Sequence, residues 1–420
     1  MTPEIKQRIE QIRRGEVPER YVKTALGLAP TDWKRYTFGD IYTERKEPGD
    51  ENLPLLMVSI HSGVSDGEVD AAELPKQVKR IEDKSQYKKA VSGDLVFNMM
   101  RAWQGAIGTV RTTGMVSPAY IVAEPNDKAY PLFMDYYSRT PQMINQIDRQ
   151  SYGVTDFRKR LYWDSFAPIS CTLPPIEEQQ KIATILTTQD RVIELKEKQL
   201  AEKQRQKKYL MQQLLTGKKR LPGFSGAWEK EKLGKCASMC SGGTPDTKNE
   251  KYYGNDYIWI SIKDMTSAGK YICSSERGLT EAGLLNCSAR LFPKGTILFA
   301  MYASIGECSI AETECCSSQA ILGIEPDSKL NNEFLYYLLS NSKGYFKSFG
   351  QASSQPNLNK GIVQSIVVQI PEIEEQAAIA EVLSTADREI ELLQQDIEQE
   401  KQKKEALMQL LLTGIVRVKI

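Results

Sequence analysis

The chain has 420 residues, too many for one ordinary core, so two to three domains are expected. Hydrophobic residues make up 41% and charged residues 26%, a globular composition, and no apolar run is long enough to span a bilayer. A formal charge of +1 excludes a uniformly basic nucleic-acid binder, so any contact of that kind must be local.

Residues 1–30 begin Met1-Thr-Pro-Glu-Ile-Lys-Gln-Arg8, a charged pattern that predicts a helical segment. It lacks the apolar stretch of a signal peptide, and a cytoplasmic protein is expected.

Residues 31–172 mix a strand-like run at 94–99 with a helical stretch near 132–147, which predicts an α+β domain. Its 18 basic and 19 acidic residues nearly cancel, so the placement of the charges matters more than their sum. Lys76, Lys79, Arg80, Lys84, Lys88 and Lys89 cluster beside Tyr87, as a solvated helix face or a phosphate-binding stripe. Arg158, Lys159 and Arg160 form a second basic group, expected to meet phosphate. After the 94–99 strand, Met100-Arg-Ala-Trp-Gln104 offers Arg101 and Gln104, side chains suited to guanine and adenine edges.

Residues 173–220 read as one long helix, with Pro174 ahead of its start, Glu177 and Glu178 in the first turn, and Gly217 at its end. Ile182, Leu186, Gln189, Ile193, Lys196, Leu200, Lys203, Lys207, Leu210 and Leu214 step by four and three, the spacing of a coiled-coil seam.

Residues 221–369 repeat the first domain loosely. Trp228 and Gly234 answer Trp33 and Gly39. Ile258-Trp-Ile-Ser-Ile262 resembles Leu55-Leu-Met-Val-Ser-Ile60, and Gly295-Thr-Ile-Leu-Phe-Ala-Met301 resembles Gly93-Asp-Leu-Val-Phe-Asn-Met99. Tyr302 and Ser304 stand where the first domain has its Arg101 turn. Ser354, Gln355, Asn357, Asn359 and Lys360 are polar groups able to contact base or phosphate, with turn chemistry as the competing role.

Residues 370–420 repeat the helix. From Pro174 to Gly217 and from Pro371 to Gly414, at a constant offset of 197, 22 of 44 positions are identical. Segment 173–220 carries 11 basic and 6 acidic residues; segment 370–420 carries 6 and 11. Equal lengths, matching seams and opposite charge predict that the helices pack on each other, antiparallel because a domain separates them. Lys196, Lys203 and Lys207 are expected to face Glu398 and Glu400.

The chemistry of catalysis is missing from the sequence. There is no phosphate-cradling Gly-x-x-x-x-Gly-Lys, no Gly-x-Gly-x-x-Gly, and no Asn-Pro-Pro-aromatic of an amino-methyltransferase. Pro245-Asp246 has no acid-x-Lys on a following strand. The eight cysteines, with no Cys-x-x-Cys pair and His61 as the one histidine, point to reduced thiols and away from zinc. A non-catalytic chain without its own cofactor or metal is expected.

The Pro174-Pro-Ile-Glu-Glu-Gln opening, the Leu214-Leu-Thr-Gly217 closing, the Gly295–Met301 run and Ser354-Gln-Pro-Asn-Leu-Asn359 resemble the specificity subunits of type I restriction–modification systems. The first thirty residues also look like the N-terminal helix of members from Gram-positive bacteria. The resemblance implies two target-recognition domains, each contacting half of a bipartite site on double-stranded DNA, with the helices as a ruler. It also implies two methyltransferase subunits docked on the two halves, restriction subunits completing an ATP-dependent nuclease, and S-adenosylmethionine, ATP and Mg held by those partners. The Tyr152–Phe157 stretch departs from the second domain's Ser-Gln-Pro-Asn, so its contacts do not carry across. A coiled-coil scaffold binding two proteins in place of DNA is the competing reading.

Overall fold

The computed structural model describes residues 3–24, 27–50, 52–60, 63–65, 86–153, 155, 158–346 and 358–418. The chain divides into two compact units, Met1–Lys196 with Ile397–Ile420, and Glu197–Asp396. Each is α+β, and each long helix contributes to both.

In the first unit a sheet runs in the order Tyr42–Arg45, Tyr120–Pro125, Leu95–Asn98, Ile107–Thr109, every neighbour antiparallel. Leu95, Val96 and Phe97 are all buried, which is why that strand reads as an apolar run and not an alternation. The helices Pro131–Tyr137 and Pro141–Gln150 cover the sheet, split where Thr140 caps a helix that begins with Pro141. Phe38, Phe97, Phe133, Tyr136 and Phe166 form the core, joined by Ile182 and Leu186 of the first long helix, by Leu411 at the end of the second and by Leu412 just after it. A separate ladder, Lys34–Thr37 against Ser170–Leu173, leads into the first long helix.

The helix expected over residues 1–30 occupies only Pro3–Arg13. Gly15, at φ 78°, ends it, and Tyr21–Thr24 pairs with Gly27–Pro30 as a hairpin. This segment is tied to the chain's other end: Arg8 donates to the Ile415 carbonyl at 2.8 Å and the Tyr21 hydroxyl to the Gly414 carbonyl at 2.6 Å.

In the second unit the sheet order is Ala237–Ser241, Ile321–Pro326, Ile297–Ala300, Cys308–Ala311, followed by a parallel Tyr271–Ile272. Its first four positions repeat the order of the first unit. The Glu229–Lys232 and Val367–Ile370 ladder repeats the other pairing and leads into the second long helix. All eight cysteines are free thiols. Burial pushes Cys171, Cys315 and Cys316 up to about 12, so these thiols stay protonated and unreactive.

The long helices span Ile176–Leu214 and Ile373–Leu411, 39 residues each, about 58 Å of rise apiece. Gly217 at φ 65° and Gly414 at φ 70° end them in the left-handed conformation that glycine adopts at no steric cost. Every residue of the expected seam is buried or half-buried in both copies. In the first unit Lys196 pairs with Glu400 at 3.2 Å and Lys404 with Asp190 at 2.5 Å. In the second, Lys203 pairs with Glu389 at 2.7 Å and Lys207 with Asp387. Partner numbers fall as the first number rises, so the packing is antiparallel in each unit.

The expected partner Glu398 instead accepts from Gln402 on its own helix, at 3.1 Å, because it lies one position off the seam's facing row. Gln189, Lys403 and Lys196 together hold the Glu400 carboxyl down at about 2.

Reversing Lys196, Lys203 and Lys207 to Glu should lower the melting temperature at low salt, with a smaller loss at high salt where exposed pairs are screened. Adding Glu400→Lys, Glu389→Lys and Asp387→Lys should restore part of it. A melting temperature unmoved at low salt would remove charge pairing as a contributor.

Candidate nucleic-acid interface

The turn after strand Leu95–Asn98 is a single 3-10 turn, Ala102–Gln104, closed by Gly105 at φ 102°. Ala102 is wholly buried and anchors it, while Arg101 and Gln104 are exposed. Three residues apart on a 3-10 turn, their side chains share one face. Trp103 bonds back to the Met100 carbonyl at 3.0 Å, and the Met100 amide to the Asn98 side chain at 2.9 Å, so the turn is internally braced.

The second basic group is brought to the same edge. Leu161 donates its amide to the Met99 carbonyl at 2.9 Å, and the Lys159 ammonium sits 5.2 Å above the Trp103 ring. Lys159 also bonds to Asp148 at 2.8 Å, and Arg160 to the Lys159 carbonyl at 2.9 Å. Arg158 is exposed, and among the described residues neither it nor Arg101 makes an ion pair. Tyr120 belongs to this edge as well. Burial raises its hydroxyl's pKa, against the lowering effects of an Asn98 hydrogen bond and the nearby Arg101 charge.

Lys88 and Lys89 fit a DNA contact less well. Lys88 lies half-buried in the strand Lys88–Ala90, its ammonium 2.8 Å from the Tyr120 carbonyl, and burial pushes its pKa down. It props the strand that carries Tyr120. Lys89 is paired with Glu47 at 3.0 Å. Lys76, Lys79, Arg80 and Lys84 lie outside the described residues.

The second unit builds the same edge from different side chains. Leu358 donates its amide to the Met301 carbonyl at 3.1 Å, the counterpart of Leu161 and Met99. Ala303 holds a left-handed conformation, φ 56°, in the turn between Tyr302 and Ser304. Both neighbours are half-buried, and Tyr302 packs against the unit's core. Ser354, Gln355 and Asn357 lie outside the described residues. Asn359 accepts from the Ile362 amide at 3.0 Å as the cap of helix Lys360–Ser365, so its side-chain oxygen serves the fold, and Lys360 is exposed beside it.

Sequence reasoning missed Tyr120, Tyr152 and Tyr162 at this edge. A half-buried Tyr120 and exposed Tyr152 and Tyr162 carry no periodic signal, and it takes the long-range Leu161–Met99 bond and the Lys159–Trp103 contact to bring the 152–162 stretch to the turn. Among the described residues no group of three or more His, Cys, Asp or Glu could hold a metal ion, and no helix is long and apolar enough to cross a membrane.

The family model for a type I restriction modification DNA specificity domain matches residues 71–204 and again 226–402. The chain is similar to the putative type I restriction enzyme MjaX specificity subunit of Methanocaldococcus jannaschii, 25% identical over 96% of this chain and 97% of that one. It is 36% identical to the MjaIX specificity subunit of the same organism over a stretch covering 39% of each. Its fold is similar to that of the HsdS subunit from Thermoanaerobacter tengcongensis, with a TM-score of 0.51 and 20% identity over 92% of this chain and 98% of the other.

Removing the cap with Asn359→Ala should cost about 1 kcal/mol in urea denaturation. Asn359→Asp and Asn359→Ser should retain most of that stability. Equal stability for all three would return the side chain to the list of free contact groups.

Proposed function

The chain belongs to the family of type I restriction–modification DNA specificity subunits, and from that premise we propose how it works: each unit reads one half of a bipartite duplex target. The role is sequence recognition, not catalysis. One observation carries the division of labour. The two units share sheet order, helix ends and the backbone bond that sets the reading edge, yet differ in the side chains on it. Exposed Arg101 and Gln104 stand there in one, and half-buried Tyr302 and Ser304 with exposed Ala303 in the other. One scaffold with two surfaces suits two different half-sites, and the long helices then set the unread gap between them.

The partners are expected to be two methyltransferase subunits, with restriction subunits added to them. S-adenosylmethionine belongs to the former, ATP and Mg to the latter. The internal repeat supports two identical partners. Between positions 196 and 206 the two helices share no residue at the offset of 197. Just before this stretch, Thr188, Arg191, Glu194 and Leu195 are exposed and recur as exposed Thr385, Arg388, Glu391 and Leu392. Arg191 and Glu194 pair at 2.8 Å, and Leu195 and Leu392 are 50% and 58% exposed. Side chains facing solvent have no packing reason to stay the same. A protein bound once per unit supplies one, and a scaffold that bound no DNA would leave the reading edges without a use.

Arg101→Ala with Gln104→Ala should relax the methylated motif at one half-site only, each base-edge pair being worth roughly 1–3 kcal/mol. Methylome sequencing of cells carrying the variant checks this, and a motif altered in both halves would overturn independent reading. Leu195→Asp and Leu392→Asp should each remove one methyltransferase subunit from the assembly, and the double variant both, as measured by native mass. Full assembly of the double variant would show that the repeated patch is not the dock.

A further inference from the structure

Within residues 31–172, the large hydrophobic side chains exposed among the described residues are Met100 at 40%, Tyr152 at 59% and Tyr162 at 44%. All three belong to the reading edge. Met100 precedes Arg101. Tyr162 follows Leu161, whose amide bonds to Met99. Tyr152 exchanges both backbone hydrogen bonds with Arg160, at 3.1 and 2.9 Å, and its ring lies 5.9 Å from that of Tyr162. Among the described residues the domain's other large apolar side chains are buried or half-buried, with Phe38, Phe97 and Phe133 at 0%. An apolar patch confined to one edge, rimmed by Arg101, Gln104 and Arg158, marks a contact made on binding.

What covers such a patch follows from the chemistry of the groove floor. Base edges in the major groove present hydrogen-bond donors and acceptors and a single apolar group, the C5 methyl of thymine. Met100 is exposed and adjoins Arg101 in the chain, so where Arg101 and Gln104 reach base edges it lies at the mouth of the same groove. We propose that Met100, with Tyr152 and Tyr162 at the same edge, packs on the C5 methyl of a thymine in the half-site read by the first unit. The unbranched, polarizable thioether adapts to such a small group, and the tyrosines exclude water from it. The inference rests on the reading of this edge as the DNA interface, and adds a base identity to it.

The test uses the complex of this chain with its methyltransferase subunits and a duplex carrying the mapped target. Each thymine of both half-sites is replaced in turn by deoxyuridine, which removes the methyl and nothing else, and affinity is measured by fluorescence anisotropy. In the wild type at least one replacement, confined to one half-site, should weaken binding about fourfold, the equivalent of the ~0.8 kcal/mol for burying one such group. With Met100→Ala, or with Tyr162→Ser (serine suits the helix-capping position that Tyr162 holds), that penalty should fall below about 1.5-fold while the melting temperature is kept. The idea fails if no replacement matters, if the penalty persists in the variants, or if neither half-site contains thymine. Arg101→Ala with Gln104→Ala separates the levels. Weakened binding alongside indifferent deoxyuridine overturns the thymine contact alone, and undiminished binding overturns the interface itself.

Discussion

One buried carboxylate in each unit ties its two long helices together. Glu178 and Glu375, in the first turns of the long helices, are both 0% exposed. Each is gripped in a two-bond fork by an arginine that follows the end of the other helix: Arg417 holds Glu178 with both bonds at 2.7 Å, and Arg220 holds Glu375 with both at 2.6 Å. Burying a carboxylate costs several kcal/mol unless its charge and lone pairs are met, and the planar guanidinium meets both. A coiled-coil seam repeats every seven residues, so alone it tolerates a one-heptad slip at the loss of its ends. The locks do not repeat. Slipping the helices would leave a buried charge unpaired at each end, so these pairs fix a register that the polar mid-seam of Lys196, Lys203 and Lys207 specifies only weakly.

The recognition domains are attached through the same helices by a second repeated device. The Tyr136 hydroxyl donates to Asp190 at 2.6 Å, and Lys404 from the opposite helix completes the trio over the tyrosine ring. The second unit has Tyr337, Asp387 and Lys207 in the same roles. Gln179 and Gln376 each bridge a helix start to a turn of the domain, Gln179 by 2.8 and 2.9 Å bonds to Tyr130 and Lys128, Gln376 by 2.8 Å bonds to Asn331 and Lys329. These side chains reach backbone atoms or fixed carboxylates, so the domain surface is free to change without disturbing its seat. The second unit adds Lys270, bonded to Tyr337 and Ser384 at 2.8 Å and surrounded by three tyrosine rings.

How much of this was legible in the sequence depended on the range of the signal. The seam from Ile182 to Leu214 and its copy show a local period, and the structure buries those positions. The duplicated framework was readable because identities at Trp33, Gly39 and Gly93 recur. Arg220 and Arg417 also recur at the helix offset, yet nothing local distinguishes them from the exposed Lys218 and Lys219 beside them. Their partners lie 155 and 239 residues away. At the reading edge, residue type suggested contacts for Lys88 and Asn359 that the fold uses for itself, since an ammonium near a carbonyl or a cap near an amide cannot be seen in one dimension. Arg101 and Gln104 stayed exposed because Ala102 between them supplies the anchor.

The near-neutral charge of each domain has a consequence for how recognition is shared. Lys89 and Lys159, which could have met phosphate, are paired with Glu47 and Asp148, so that among the described residues Arg101 and Arg158 are exposed cations at the first unit's edge without an ion pair. Affinity for duplex of any sequence scales with the number of phosphates neutralised, and two exposed cations add little to it, which suits the proposed division of reading between two edges. Joining two weak readers in one chain turns the second contact into an intramolecular event, with a gain set by the linker's fit to the spacing of the sites. A flexible linker would spread that gain over many spacings. In the proposed reading, helices paired in register within each unit by Glu178 and Glu375 would concentrate it on few. A strongly basic pair of domains would bind any duplex through either half, and the demand for two half-sites at a fixed gap would be lost. In the proposed reading the modest charge and the paired helices are therefore two parts of one requirement: that both edges be satisfied together.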